Sequence, residues 1–459
     1  GRIRVSREDC VARIMEYAGY DDEAIAAYKK LLEQYRNLPD RQSSDNDVRR
    51  IRKEITARFY EIYQKAFLRS TEDLMRPSPI ILMFLNFGFM DVELLGEEHT
   101  NMLYNLVDSL GLFHSDHIFT IYDWLLLIYQ GKKVPSRNEF DLDYNGYLQD
   151  LKRQGEITDV QMAELKENPQ AKVEFEIRNV FMSGHRLTSG RVTTFCPILS
   201  SEEFINTIEK MAVTAERIEN AINKIRRLDY SVLYREVMFS DPAHGINQEW
   251  MMHEVLPDVI LMPDAGTRAV MWQETVGAKT NTPARFLFPM FTAADLDELM
   301  VETMGRYRWE ICRRIQGVYW NDIRERSLTS EYCDYIQFYR KNSDLSADAK
   351  EKVKTALARA RNSYREVFVK DYISWMKYES AGSFRLNKVA REILVRYCPF
   401  AKDVRVNLMQ NPQYQNVFRK LNAENAKKVQ RLTAMYDKYE AAGGEITPEL
   451  NENLKYYQM

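Results

Sequence analysis

The sequence is short of the residues that make tight turns. Glycine supplies 18 and proline 14 of its 459 residues, about 4% and 3% where about 7% and 5% are usual. A sandwich or barrel needs many sharp reversals, so this shortage excludes an all-β fold. Cysteine pairs are missing as well: Cys10, Cys196, Cys312, Cys333 and Cys398 stand alone. Without C-x-x-C or another short spacing, they read as free thiols of a reducing compartment. Long apolar runs are absent. Ile80-Ile81-Leu82-Met83-Phe84-Leu85, extended by Phe87, Phe89 and Met90, and Trp124–Tyr129 both fall short of the ~20 residues that span a membrane. No basic-then-apolar leader opens the chain. It begins at Gly1, which reads as the start of an excised piece of a larger protein; the lone thiols and short apolar runs read as cytoplasmic, and the stretch from Glu249 to Trp320 as bacterial.

Signatures of common chemistry are equally scarce. Neither G-x-G-x-x-G nor G-x-S-x-G occurs, which removes the usual dinucleotide and hydrolase signals. Gly277-Ala278-Lys279-Thr280 fails as a phosphate loop, because Ala278 and Gln273 stand where glycines are required.

What the sequence does contain is helical period. Breakers at 37–47, 131–145, 183–190, 240–245, 263–267, 277–283 and 441–448 separate segments whose apolar residues recur every three or four places. After Ser201, a candidate N-cap, Phe204, Ile208, Met211, Ala215, Ile218, Ile222 and Ile225 follow spacings of 4, 3, 4, 3, 4 and 3. That heptad seam predicts one helix lying along a partner helix, with coiled-coil self-association as a further expectation. Long helices are also predicted from Ala294 to Arg326 and from Ser346 to Tyr378. Another runs through Phe418, Leu421, Val429, Leu432, Tyr436 and Tyr439 to a stop at Gly443-Gly444. Between Ala171 and Leu199 the period changes. Val173, Phe175 and Ile177 alternate, and Arg191–Cys196 is rich in strand formers, which predicts one small antiparallel hairpin turning at 183–190. The fold class expected is therefore mainly α, a multi-helix bundle or array of long helices with one β-hairpin insert. The regions are 1–140 (helical), 141–200 (polar turn and hairpin) and 201–459 (long-helix bundle). Tyr20–Leu32 resembles the second helix of a tetratricopeptide repeat, with Ala24 and Tyr28 at its small and aromatic packing positions. The resemblance covers about 30 residues of one hairpin. It implies helix pairing alone and carries no activity.

Three sets of residues are candidates for chemistry. Asp141-Leu142-Asp143-Tyr144-Asn145-Gly146 reproduces the first half of an EF-hand calcium loop, in which alternate oxygens face the ion and glycine makes the sharp turn. Lys152 stands where the closing glutamate belongs, so Asp141, Asp143 and Asn145 form a degenerate metal set. His244 with Glu249, His253 and Glu254 is the best catalytic or metal candidate, since histidine beside carboxylates exchanges protons or binds metals. Read as a helix, that stretch places Glu249 and His253 on one face, with Asp258, Asp264 and Glu274 as neighbours to be gathered. His114 and His117 form a further i, i+3 pair, near a helix start at Asp116. Charge supplies the third set. Residues 340–438 hold 22 basic against 10 acidic side chains, a net of +12 that leaves −15 for the remainder. Lys352, Lys354, Arg361 and Arg365 make a candidate anion-binding face, with nucleic acid as a less favoured partner. Arg306-Tyr307-Arg308-Trp309, Arg313 and Arg314 read as an amphipathic helix with snorkelling arginines. The function expected is a non-catalytic scaffold or regulatory interaction region that binds a protein or another domain of its own chain, not a membrane. No cofactor is identified. The alternatives are a metal-dependent protein centred on residues 244–274 and a nucleic-acid-binding helical module.

Overall fold

A computed structural model describes residues 10–40, 45–90, 98, 101–103, 105, 115–189, 208–275 and 281–459. The chain is mostly helical, with 64% helix and nineteen helices among the described residues, and it carries small sheets where the sequence pointed to a single hairpin. The strands are β1 (Ile118–Thr120), β2 (Tyr234–Asp241), β3 (Ile246–Glu254), β4 (Asp258–Ala265), β5 (Val270–Gln273) and β6 (Arg285–Phe291). The chain divides into two compact units. One holds 1–218, 258–276 and 285–296, the other 219–257, 277–284 and 297–459. The division does not fall at residues 140 and 200.

The first unit contains α1 (Cys10–Tyr17), α2 (Asp22–Arg36), α3 (Asn46–Glu72), α4 (Pro79–Phe87), α5 (Ile121–Tyr129), α6 (Tyr144–Arg153), α7 (Asp159–Lys166), α8 (Pro169–Ile177), α9 (His185–Ser189) and α10 (Ile208–Met211). Its sheet has the order β1-β4-β6-β5, with β1, β4 and β6 parallel and β5 antiparallel at one edge. Every residue of β4 and β6 is buried. Their unbroken apolar runs, Val259–Met262 and Phe286–Phe288, are what a strand covered on both faces requires. Sequence periodicity missed them because a doubly buried strand does not alternate. Ile80–Phe87, all buried, forms most of α4, and α5 buries Trp124, so the two longest apolar stretches are core helices. The α1–α2 hairpin packs on the 27-residue α3, with Tyr28 buried and Asp21 capping α2 at the Ala24 N–H (2.8 Å).

The hairpin expected at 171–196 is corrected in its described part. Val173–Ile177 belongs to α8, which Asn168 caps at the Ala171 N–H (3.1 Å), and 178–189 continues as a π-helical turn (Arg178–Gly184) and α9. The residues buried from Val173 to Phe181 are Val173, Phe175, Glu176, Ile177, Asn179, Val180 and Phe181; positions 173, 176, 177 and 180 among them have helical spacing, which the alternation of Val173, Phe175 and Ile177 disguises because Glu176 is an acid. Arg191–Cys196 lies outside the described residues.

The second unit contains α11 (Ala215–Leu228, from Glu219 onward), α12 (Leu296–Gln316, from Asp297 onward), α13 (Leu328–Gln337), α14 (Ala347–Arg359), α15 (Tyr364–Lys377), α16 (Lys388–Tyr397), α17 (Lys402–Leu408), α18 (Pro412–Ala441) and α19 (Pro448–Gln458), together with the β2–β3 hairpin. The heptad helix is not continuous. Phe204 and Ser201 lie outside the described residues, and at Ala212–Thr214 the chain leaves the helix to bond β6, with Val213 N–H to the Met290 carbonyl at 2.7 Å. Ile218, Ile222 and Ile225 of the seam are buried all the same. The helix expected to reach Arg326 ends at Gln316 before Gly317 (φ +59°), and Val318 is 84% exposed. Ser346 does cap a helix, at the Ala349 N–H (3.1 Å), but it ends at Arg359 and a second one starts behind Ser363. α18 runs to the glycine stop as expected.

Candidate functional site

His244 ends a 3₁₀ turn and Ile246–Glu254 is one strand of a two-stranded β-ribbon, which corrects the helical reading. β2 and β3 pair antiparallel, with Glu249 opposite Phe239 and His253 opposite Arg235. Glu249 and His253 still share a face, now through the two-residue period of a strand, while Glu254 points to the other. The structure does not bring the four together. His244 Nδ1 lies 2.8 Å from Asp241 Oδ2, which also accepts from the Tyr439 hydroxyl at 2.7 Å. Those bonds, Tyr439 first and His244 second, hold the Asp241 carboxyl below the usual range. Glu249 pairs with Arg431, His253 Nδ1 with Glu452 (2.7 Å), and Glu254 with Arg226. Asn453, fully buried, accepts the Met252 N–H at 2.9 Å. Each candidate acid or base is thus engaged singly, mostly in fastening the ribbon to α18 and α19. Asp258, Asp264 and Glu274 belong to the first unit and contact Lys133, Thr188 and Arg137 there. Among the described residues no group of three or more histidines, cysteines or carboxylates is arranged to hold a metal ion.

The other candidates are equally dispersed. Asp141 (φ +59°) pairs with Arg137 at 2.8 Å, and Asp143 caps α6 by accepting the Gly146 N–H at 2.7 Å. Asn145 and Gly146 lie in the first turn of that helix, so the glycine does not make the sharp turn of a calcium loop, and Lys152 is bound to Asp159. Lys352 faces Asp348 at 3.6 Å, and Arg365 bonds Glu310 (2.9 Å) and Glu366 (3.2 Å), leaving Lys354 and Arg361 as exposed cations on this face. The helix expected at Asp116 starts at Ile121, capped by Thr120. His114 lies outside the described residues.

Three features escaped the sequence reading. In the first unit Asp264, fully buried at the end of β4, accepts from Thr188 Oγ1 at 2.6 Å and lies 3.7 Å from His185 Nε2. Burial drives its carboxyl well above the usual range, with the Thr188 bond pulling the other way. A Cβ at Gly266 would collide with the Thr188 carbonyl, which fixes the close approach. In the second unit Asp229, also fully buried, accepts from Tyr372 (2.9 Å) and from the Ser231 hydroxyl (2.7 Å) and forms an ion pair with Arg308 (3.4 Å). Burial opposes the charge of Arg308, but Asp229, together with Cys398, Tyr372 and Tyr456, outweighs it and holds the guanidinium above its ordinary value. Arg308 is therefore buried in the core, not snorkelling, and Tyr307 and Trp309 are buried beside it.

The third feature is a cavity of about 140 Å³ beside Arg308, lined among others by Arg235, Glu236, Cys312, Arg326, Ser327 and Leu328. The lining comes from three stretches far apart in sequence, 232–252, 308–316 and 326–328, with Tyr397, so no local motif could announce it.

Residues 317–456 match a family described as a domain of unknown function (DUF8509). No curated protein and no solved structure matches the chain.

Proposed function

We propose that the chain is a non-catalytic scaffold or regulatory region whose work is to engage a protein partner or a further domain of its own larger chain. The observation that carries this reading is the one-to-one commitment of the ribbon's polar groups. A catalytic histidine needs a carboxylate on one side and room for substrate on the other. Here His253 meets Glu452, Glu249 meets Arg431 and Glu254 meets Arg226, in contacts that hold secondary structure together. A second observation supports a docking role. The short 3₁₀ turns after α12 expose Val318 (84%), Tyr319 (53%) and Ile323 (41%) within six residues, apolar surface of the kind that marks interaction sites.

A photo-crosslinking side chain at position 318 of the whole protein, expressed in its own cells, tests the reading. One defined protein adduct, lost when Ile323→Asp is added, is the expected outcome. A chain that gives no adduct there but retains stoichiometric transition metal, released by His253→Ala, would be a metalloprotein instead.

A further inference from the structure

We propose that the cavity enclosed by β2, β3, α12 and the start of α13 binds a small organic phosphate through Arg308, Arg326, Arg235 and the amino end of α13. Three guanidiniums line it with one carboxylate, Glu236, which feels the charge of Lys428, while Asp229 (3.4 Å) balances Arg308 from outside the lining. Arg308 is 8% exposed, and its Nε, buried, has no hydrogen-bond partner. A buried N–H left without an acceptor costs the full desolvation of that group, so the cavity beside it offers stabilisation to any anion that supplies one. Arg235 is 2% exposed and held in a fixed pose by the Thr282 carbonyl (2.7 Å) and the Tyr307 hydroxyl (3.1 Å). A guanidinium already immobilised loses little freedom on meeting a ligand.

The rim adds two further elements. Arg326 is exposed at φ +27° and makes no ion pair among the described residues. Backbone strain of this kind is retained where the surrounding structure needs the side chain placed. Ser327 follows it as the N-cap of the ten-residue α13 and accepts the Ser330 N–H at 3.2 Å, so the positive end of that helix opens on the cavity. Arginine forks and a helix terminus together offer more donors than a carboxylate's two oxygens can use, and they suit a tetrahedral dianion. The remaining wall is apolar, with Val232, Ile311, Ile315 and Leu328, which favours an ester with an apolar group over free phosphate. The site goes beyond the partner-docking reading and stands without it, since occupation of the cavity does not involve Val318.

Calorimetric titration of the purified chain at constant ionic strength, with phenyl phosphate and with inorganic phosphate, tests the proposal. Phenyl phosphate should bind saturably at one site and about tenfold tighter than inorganic phosphate. It should also slow iodoacetamide labelling of Cys312, which lines the cavity. Arg326→Gly, a residue at ease with positive φ, should keep or raise the melting temperature and weaken both ligands about tenfold. No saturable binding together with undiminished Cys312 labelling would overturn the site, as would full affinity in Arg326→Gly. Equal affinity for the two ligands would overturn the organic phosphate.

Discussion

Asp371 illustrates how a single side chain carries a stability cost that pH reveals. It lies on α15, accepts from the Tyr332 hydroxyl at 2.6 Å and lines a recess with Asp348 and Lys352. Burial pushes its carboxyl up to about 6, with the Tyr332 bond pulling the other way. The folded state therefore holds this proton more tightly than the unfolded chain, whose carboxyl titrates near ~4. The contribution is fully present below about pH 4 and is lost as pH rises through about 6, an effect of about 1–3 kcal/mol. Asp371→Asn keeps an acceptor for Tyr332 and should remove that loss, making the variant the more stable of the two at pH 7 and not at pH 4. Urea denaturation of both proteins from pH 4 to 7 measures it, and parallel curves would show that Asp371 is not the source. Glu379 shows the opposite case, a buried carboxylate satisfied several times over. It accepts from Arg391 at 2.9 and 3.2 Å, from the Arg385 and Leu386 N–H groups and from Tyr414.

At the scale of elements, α14 and α18 end in the same way. In each, the residue after the cap lies in the left-handed region and the chain closes with two backbone bonds. Arg361 and Asn362 bond Ala358 and Leu357, while Gly443 and Gly444 bond Glu440 and Tyr439. The stop at Gly443 was legible because glycine is the residue this geometry prefers. The stop at Arg361 (φ +52°) was not, so one helix was expected to run on to Tyr378 where there are two. An L-residue in that conformation costs roughly 1–2 kcal/mol. Arg361→Gly should therefore raise unfolding stability by about 1 kcal/mol in a denaturant titration, although it removes a charge from the basic stretch. A fall in stability would mean that the arginine side chain contributes more than its backbone costs.

At the scale of the molecule, the matched segment 317–456 is not a self-sufficient core. Ile246 and Met251 of β3 form one cluster with Leu432, Tyr436, Tyr439 and Leu450, and Trp309 of α12 packs its ring against Tyr332 and Phe368. Each of these contacts joins the segment to chain that precedes it. Excised as 317–456, the protein should expose that apolar surface, bind a hydrophobic dye and melt less cooperatively than the whole chain. Hydrogen exchange in α18 is the direct measure. Amides protected in the fragment as they are in the whole chain would show that β3 is dispensable. Within the described residues no helix is long and apolar enough to cross a membrane, in keeping with the short apolar stretches, which fold as α4 and α5.

Composition and period were enough to determine the mainly helical class, the helix start at Ser346 and the end of α18, because helix formation and capping depend on residues within a turn or two of each other. They did not determine β4 and β6, whose doubly buried faces leave no alternation, or the ribbon at 234–254, where residues four apart share a face in a strand as they do in a helix. The pairing of His253 with Glu452, of Asp229 with Arg308 and of Arg326 with the cavity joins positions from about 80 to about 200 places apart. No local propensity reports on such distances. Only the folded chain decides whether a charged side chain meets solvent, an opposite charge or an empty space.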